Sequence, residues 1–592
     1  MFKIPSFMLK DAIVAKPGFN RWLVPPASIA IHLCIGSAYA WSIYNPALIR
    51  EIGGIAPAAE DWSLSSVVWI FSVAILFLGL SAAFAGKWLE KVGPRCVGTT
   101  AAFCWGGGYI IGSIGIMTHQ LWLLYLGYGV IGGCGLGLGY VSPVSTLIRW
   151  YPDRRGLATG MAIMGFGGGA IIAVPLKSWL LGLYAKAPDY LGPLADVQTT
   201  VEHGIRYVQV AGQKLEAIVV SASQAEATFE GAKAGVYVAG TGNTGAASTF
   251  LTLGIVYFVV MILASFAYRI PAPGWKPEGW EPPQEDPAKQ GLITRHHVHI
   301  DTALRTPQFY QLWIVLCFNV TAGIGVISVS KTMIYEIFGN GMPTIVDGAF
   351  TATYVLMISV FNAMGRLGWS TLSDYIGRKN TYTVFFVLGS FLYLSIPLIA
   401  AEAGTSPSVM WLVMFYAATM TIFTMYGGGF ATIPAYLADI FGTKFVGGIH
   451  GRLLTAWSAA GVAGPFLITF LRERSVNAKI HELAEKVDPA VFLQTFGEGK
   501  DKLAELIAAK SISVSRLMEV APEGTVDPTP SLYNTTMYVM AGLLVAALVS
   551  NLLMKPVNPK YHMAEDALGE GEAQTTKPAA SGKQAPVPMP AE

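Results

Sequence analysis

The stretch Glu90-Lys91-Val92-Gly93-Pro94-Arg95 and its echo Asp374-Tyr375-Ile376-Gly377-Arg378-Lys379 decide the architecture of this chain. Each sets a carboxylate three residues before a glycine, with basic side chains beside it, in a short break between long apolar runs. The two copies are offset by 284 positions (90 to 374, 93 to 377). A second pair of landmarks keeps nearly the same spacing: Gly160 and the glycine-rich run ending at Pro175 return as Gly451 and the run ending at Pro465, offset by 291 and 290. A chain that repeats its loops at one spacing consists of two similar halves in series.

Working outward from these loops, the apolar runs are long enough to cross a bilayer. Leu23 to Ile49, Trp62 to Gly86 and Val97 to Ile148 contain no Asp, Glu, Lys or Arg, and the last is two spans broken at Thr118-His119-Gln120. Gly156–Leu183, Ser248–Tyr268, Phe309–Ser330, Gly348–Ser370, Asn380–Ala401, Val409–Ala438, Phe445–Leu471 and Tyr533–Met554 complete twelve predicted helices. With 53% hydrophobic and 13% charged side chains, the 592 residues have too little polar surface for a soluble globule. The expected fold is an all-α membrane protein of twelve transmembrane helices in two six-helix halves.

Lys and Arg collect on the cytoplasmic side of short loops. Lys87, Lys91 and Arg95 follow the second span, Arg149, Arg154 and Arg155 the fourth, and Arg378 and Lys379 the eighth, so both termini are expected in the cytoplasm. Residues 1–22 then form a cytoplasmic N-terminus without a cleavable signal. The N-terminal half is 23–268 and carries an extracytoplasmic insert at 184–245; the C-terminal half is 307–554 with an insert at 472–532 at the corresponding place. Lys479–Lys486 and Lys500–Lys510 read as short amphipathic helices, whereas the Gly-, Ala- and Thr-rich first insert reads as strand or coil. A proline-rich cytoplasmic linker, 269–306, joins the halves, and 555–592 reads as a disordered tail.

The five cysteines form no CxxC pair, and a net charge of +2 points to no nucleic-acid partner. His296, His297 and His299 have no fourth ligand at metal-binding spacing, so neither a metal nor a cofactor is expected. No nucleophile or nucleotide motif supports an enzyme.

Two parallel six-helix halves with such a loop in each resemble the major facilitator superfamily. Its Gly-x-x-x-Asp-x-x-Gly pattern is matched by Gly86, Glu90 and Gly93, and again by Asp374 and Gly377, with Ser370 replacing the leading glycine. A glycine lets helices approach while the carboxylate pairs with an arginine or a helix terminus. Gly86, Glu90, Gly93, Arg95, Asp374, Gly377 and Arg378 are therefore assigned to a cytoplasmic gate. Gly36-Ser37-Ala38-Tyr39-Ala40-Trp41-Ser42, Arg149-Trp150-Tyr151-Pro152-Asp153-Arg154-Arg155-Gly156-Leu157-Ala158-Thr159-Gly160 and Thr306-Pro307-Gln308-Phe309-Tyr310-Gln311-Leu312-Trp313 narrow the resemblance to the oxalate:formate antiporter family. That resemblance implies a carrier of small carboxylates, its dianion held between an arginine of helix 8 and a lysine of helix 11.

Arg366 stands in the first of those places. It lies eight residues from Asp374, about 12 Å at 1.5 Å per residue, well inside the bilayer. A cation at that depth normally faces a protein interior or a watery path, and its planar fork suits a carboxylate. Asn362, four residues earlier on the same face, can hold the arginine or donate to substrate; the pair is similar to that in bacterial relatives of monocarboxylate transporters. The second place is empty, because the family's Thr-Ala-Lys stretch reads Thr455-Ala456-Trp457 here. Arg452, five residues from Trp457 and so rotated by about 140°, is no substitute and is expected along the cytoplasmic half of the path.

One cation favours a monoanion, since a second carboxylate would be desolvated against an indole without a partner. Trp457 either closes the site against the substrate's apolar end or packs. Tyr39, Tyr140 and Tyr426 are candidate uncharged ligands or packed tyrosines, and His32 is a candidate proton carrier or a core histidine. Lys177 and Lys331 are expected to snorkel at the outer ends of their helices. The expected function is secondary active transport of formate, acetate, lactate or pyruvate by alternating access, through proton symport or anion exchange. The resemblance also implies a monomer in lipid, in a bacterial-type inner membrane. Oxalate:formate antiport and a non-transporting carboxylate sensor are the alternatives.

Overall fold

The computed structural model describes residues 4–563 except 152–154, 223, 225–227, 229–231, 273–274, 280–291, 293, 295 and 443–444; side chains 86, 87, 90, 145, 148, 155–162 and 447 are also outside the description. Twelve helices are long and apolar enough to cross a membrane. In the N-terminal half they are α1 Arg21–Ile43, α2 Leu64–Ala85, α3 Pro94–Met117, α4 Leu121–Val144, α5 Ile163–Tyr184 and α6 Ala246–Ala267. In the C-terminal half they are α7 Pro307–Phe338, α8 Gly348–Ile376, α9 Arg378–Thr405, α10 Val409–Phe441, α11 Gly448–Lys486 and α12 Thr529–Leu552.

The repeated sequence is a repeated turn. Helical structure from α2 continues to Val92, one residue intervenes, and α3 starts at Pro94; α8 ends at Ile376, one residue intervenes, and α9 starts at Arg378. The intervening residues are Gly93 and Gly377, with φ of 91° and 84°. Reversing a helix across a single residue requires that left-handed conformation, which costs a glycine little and a side chain more. At Gly93 an added Cβ would also lie 2.7 Å from the Cβ of Lys10.

Within each half, equivalent helices pair: α1 with α5 and α7 with α11, α3 with α6 and α9 with α12. The halves meet along α2 against α11, α5 against α8, and α1 against α7. Hydrogen bonds cross all three seams. Ser458 Oγ donates to the Leu76 carbonyl at 2.9 Å, Ser359 Oγ donates to the Gly167 carbonyl, and Ser42 Oγ lies 3.0 Å from Ser330 Oγ. Asn45 Nδ2 adds a bond of 2.8 Å to the Ser328 carbonyl.

Helix α1 is not regular to its end. Ser37–Ile43 is a tighter 3-10 stretch, with Ala40 outside helical geometry at φ −93° and ψ 28°. The carbonyls this leaves over are taken by Lys177 of α5, whose Nζ donates to Ser37 O at 2.8 Å and Ala40 O at 3.3 Å and sits 4.5 Å from the Tyr44 ring centre. Lys177 is fully buried. It therefore does not snorkel, because the broken helix supplies the acceptors its ammonium needs.

Two inserts cap the end of the bundle opposite Gly93 and Gly377, here called the insert end. The first departs from an all-helical chain. Strands β1 Tyr190–Gly192, β2 Thr199–Glu202, β3 Ile205–Val210, β4 Gln213–Val220 and β5 Gly235–Val238 form an antiparallel sheet in the order β1-β5-β4-β3-β2. His203-Gly204 and Ala211-Gly212 make its two tight turns, all four with positive φ, as two-residue hairpins of this twist require. The second insert starts later than the charges of Arg472, Glu473 and Arg474 suggested. α11 runs unbroken to Lys486, so Lys479–Lys486 is its overhang rather than a separate helix. No glycine or proline interrupts it between Pro465 and Pro489, and Arg472 is neutralised by Glu336 of α7, Nε to Oε2 at 2.8 Å. Around Ile480, Leu483, Phe492, Phe496, Leu506 and Leu517 the second insert builds its own small core.

Candidate substrate site

Arg366 lies on α8 between the halves and is 1% exposed. Its Nε donates to Asn362 Oδ1 at 3.0 Å, one turn earlier, which fixes the plane of the fork. The guanidinium carbon stands 5.3 Å from the ring centre of Phe430. Nη1 and Nη2 make no hydrogen bond of full geometry among the described residues, the Tyr39 hydroxyl lying within side-chain reach of the guanidinium, and Asn362 Nδ2 has no partner there. A buried donor without an acceptor costs about 1–3 kcal/mol, more for a charged group. Three nitrogen donors on one helix face are thus left without a full acceptor.

Aromatic rings from both halves pack around them as a cage. Trp457 of α11 lies 4.5 Å from Phe430, 5.7 Å from Tyr140 and 5.7 Å from Phe166, between ring centres. Tyr39 packs edge-on to Phe166 at 5.1 Å, and its hydroxyl meets that of Tyr426 at 3.2 Å, joining α1 to α10. Tyr39, Tyr140 and Tyr426 all lie within electrostatic reach of Arg366. The indole Nε1 of Trp457 is buried without a described partner. The arrangement is a cation at the wall of an apolar cage, with hydroxyl and indole hydrogens at its rim. Chemically, it can take one small anion with an apolar end.

All six residues assigned to the site from sequence, Arg366, Asn362, Tyr39, Tyr140, Tyr426 and Trp457, are brought to this cage. His32 reaches its edge: Nε2 lies 3.1 Å from the Tyr140 carbonyl, and the ring is 5.5 Å from that of Tyr140 and 6.2 Å from that of Phe166. Phe166, Gly167 and Phe430 were missed. Their signal was present, since each aromatic is embedded in a glycine run, Gly165-Phe166-Gly167 and Gly429-Phe430, where close approach of other groups is possible. A Cβ added at Gly167 would lie 2.8 Å from Arg366 Nε. Only glycine leaves room there for the guanidinium.

The residues assigned to a gate divide between two arrangements. Arg378 pairs with Asp374 on its own turn and lies 3.7 Å from Asp439 of α10, an acid the sequence reading passed over. In the other copy Arg95 donates to the carbonyls of Phe7 in the N-terminal segment at 2.8 Å and Phe266 of α6 at 3.1 Å, neither in the C-terminal half. The surroundings of Gly86 and the side chain of Glu90 lie outside the description. Arg452 pairs with Asp301 of the linker at 2.6 Å. Among the described residues no group of three His, Cys, Asp or Glu is arranged to hold a metal, and His296 instead stacks on His562 at 4.8 Å. The tail assignment for 564–592 lies outside the described residues.

The profile of the Major Facilitator Superfamily matches residues 31–186 and 231–465. The oxalate:formate antiporter of Oxalobacter formigenes is 25% identical over 449 residues, 75% of this chain and 83% of the relative. Apicoplast pyruvate carrier 1 of Toxoplasma gondii is 22% identical over 485 residues, 74% of this chain and 81% of the relative. Monocarboxylate transporter 13 of Rattus norvegicus is 32% identical over a shorter stretch of 129 residues, 22% of this chain and 29% of the relative. Among solved structures, a bacterial homolog of the human lysosomal transporter Spinster, inward-facing and occupied, superposes with a TM-score of 0.55 at 16% identity, covering 93% of this chain and all (100%) of that one. A D-xylose-proton symporter gives 0.51 at 11% identity, over 85% of this chain and 98% of that one. These two establish the fold alone. The chain belongs to the major facilitator superfamily; it is a multi-pass membrane transporter and not an enzyme.

Proposed function

We propose that this major facilitator protein is a secondary active carrier of small monocarboxylates, of the formate, acetate, lactate or pyruvate type, and that Arg366 binds the carboxylate. The observation that carries the reading is the pair of terminal nitrogens without a full acceptor on a buried guanidinium, set in an aromatic cage built from both halves. A carboxylate accepting from Nη1 and Nη2 satisfies both donors in one bidentate contact. Asn362 holds the fork in plane and its free Nδ2 is a third donor. Tyr39, Tyr140 and Tyr426 orient the anion without adding charge, and Trp457 with Phe166 and Phe430 covers the substrate's apolar end.

Valence follows from counting cations. Among the described residues Arg366 is the one cation against the cage; Lys177 is committed to the α1 carbonyls and Lys331 stands at the insert end. A second carboxylate would lose its hydration against rings. Similarity to the Oxalobacter antiporter supports oxalate:formate exchange as the second reading.

Positive-inside orientation puts Gly93, Gly377 and the termini in the cytoplasm and the inserts outside. The halves rock about the cage, breaking the Ser42–Ser330 seam on the insert side or parting the cytoplasmic ends of α2 and α11 on the other, while the Asp374–Arg378 pair moves with its own half. Inward movement of a monoanion against a negative interior costs about 2.3 kcal/mol per 100 mV. A co-transported proton, for which His32 is the candidate, or an exchanged anion offsets that cost.

Counterflow in liposomes tests the reading. Vesicles containing the purified protein are preloaded with lactate, pyruvate, formate or oxalate, and uptake of the labelled compound is followed with and without a pH gradient. A monocarboxylate is expected to exceed oxalate. Preference for oxalate over every monocarboxylate would refute the single-cation argument, and no flux of any carboxylate would leave the sensor reading.

A further inference from the structure

Between the cage and the inserts lies a cavity of about 430 Å³, walled by both halves and roofed by both inserts. Its described lining has three cations, Arg50, Lys331 and Arg472, and one carboxylate, Glu336. Glu336 is spent: besides Arg472 it accepts from the Tyr533 hydroxyl at 2.6 Å. Lys331, one residue past the seam serine Ser330, has no hydrogen bond or ion pair among the described residues. Arg50 donates from Nη1 to Thr228 Oγ1 at 2.7 Å and to the Ile55 carbonyl at 3.3 Å, while its Nε is buried without a described partner.

Glu51 and Asp61 lie behind Arg50 and offset part of its charge, but neither lines the cavity and each is held by other donors. Asp61 accepts the backbone N–H groups of Ile52 at 2.8 Å, Gly53 at 3.0 Å and Ala58 at 2.8 Å, and Glu51 accepts from Thr244. Lys331 and Arg50 are close enough to repel one another. Two like charges facing across a half-enclosed cavity, without a carboxylate between them, are stabilised by an anion. Beside the cavity's lining residues Pro46 and Lys331 lie the Asn45–Ser328 bond of 2.8 Å and the Ser42–Ser330 contact of 3.0 Å, which join the end of α1 and the turn after it to α7. The roof is tied together by Arg206 donating to the Thr495 carbonyl at 3.1 Å and by Lys510 donating to the Ala59 carbonyl at 3.3 Å.

We propose that this cavity is a second binding site for small carboxylate anions, held between Lys331 and Arg50, from which the anion passes to Arg366 when the α1–α7 seam opens. The inference rests on the carboxylate reading of the central cage. The inserts enclose the site and slow escape to bulk water, which gives the two long additions to the transporter core a task at one place.

Equilibrium binding of labelled lactate and labelled oxalate to the full-length protein in nanodiscs distinguishes the two sites. Wild type is expected to bind two anions per chain, Lys331→Gln one, Arg366→Gln one, and Lys331→Arg two. In counterflow, Lys331→Gln should raise the KM for outside substrate about tenfold with little change in maximal rate. A wild-type stoichiometry of one, lost in Arg366→Gln and untouched in Lys331→Gln, overturns the second site and leaves the central reading intact. Should Lys331→Gln lose both anions, Lys331→Arg decides: two restored supports the site and one restored overturns it. Failure of wild type to bind either probe removes both readings.

Discussion

Replacing Arg366 by glutamine should make the empty protein more stable and unable to bind substrate in the central cage. The guanidinium is 1% exposed, and Nη1 and Nη2 make no hydrogen bond of full geometry among the described residues. Leaving such donors unmade costs about 1–3 kcal/mol or more, so Arg366→Gln should gain on that order in the absence of substrate. With substrate the sign reverses. Two charge-assisted bonds at about 1.5–3 kcal/mol each amount to about 3–6 kcal/mol, or roughly 10²- to 10⁴-fold in Kd. Arg366→Lys keeps the charge but gives up the fork and the 3.0 Å bond to Asn362, so a loss of about 10- to 10²-fold is expected. Thermal unfolding in detergent, with and without lactate at about 100 times its wild-type Kd, reads both effects. Occupancy of the central cage adds about 2.7 kcal/mol to wild type, and that share is lost in Arg366→Gln, while the ligand-free midpoint of the variant lies higher. A ligand-free variant less stable than wild type, or one that lactate still stabilises fully, would show that the arginine is a structural member of the cage and not its ligand.

Gly167→Ala should shift Arg366, because the new Cβ starts 2.8 Å from Nε; displacement by a few tenths of an ångström is expected to raise KM about tenfold without altering expression. Glu336→Gln leaves Arg472 without its carboxylate at a contact where both side chains are 16% exposed, and should cost about 3 kcal/mol by denaturant or thermal unfolding. Lys177→Met removes the donor to the Ser37 and Ala40 carbonyls and should lower stability by about 1–3 kcal/mol in thermal unfolding. Burial pushes the Glu51 carboxyl up to about 7, the Thr244 hydroxyl opposing. Its folded value lies above the unfolded one, so the folded state binds the proton more tightly. The resulting stability is fully present below about 4.5 and is lost as pH rises towards and past about 7; it is at most about 3 kcal/mol and absent in Glu51→Gln.

The bundle was legible because its signals are local and redundant. Each apolar run specifies a span by length alone, and Gly93 and Gly377 announced the helix reversals through the acid-to-glycine spacing. The site was legible where one residue contradicted its surroundings: Arg366 in an apolar run, and Trp457 where a lysine was expected from resemblance. Phe166 and Phe430 were harder, since an aromatic in an apolar helix carries no contrast, and only the adjoining glycines mark them. The fate of Lys177 was beyond reach of the sequence. Its acceptors exist because α1 breaks at Ala40, a conformation no single residue there dictates. Likewise Arg472 looked like the end of a span until Glu336, 136 positions away, neutralised it. Charge alone cannot end a helix when the partner lies on another one.

The cage and the seams together constrain how binding drives transport. Rings from α1, α4 and α5 meet rings from α10 and α11 across the plane where the halves join, so separating the halves on either side also opens the cage. An empty cage leaves two guanidinium nitrogens unsatisfied, which favours admission of water and hence an open state. A bound carboxylate removes that cost and lets the rings close, which favours the sealed state needed to cross from one side to the other. The bidentate contact is then worth more in the closed state than in either open one, where water competes for the same donors. This differential, rather than total affinity, is what lowers the barrier to reorientation. On this argument a substrate lacking the apolar end, such as formate, binds Arg366 but gains less from closure of Trp457, Phe166 and Phe430. It should therefore be carried more slowly than lactate or pyruvate at saturation. A maximal rate for formate equal to that for lactate would place the closing force in the seams and not in the rings.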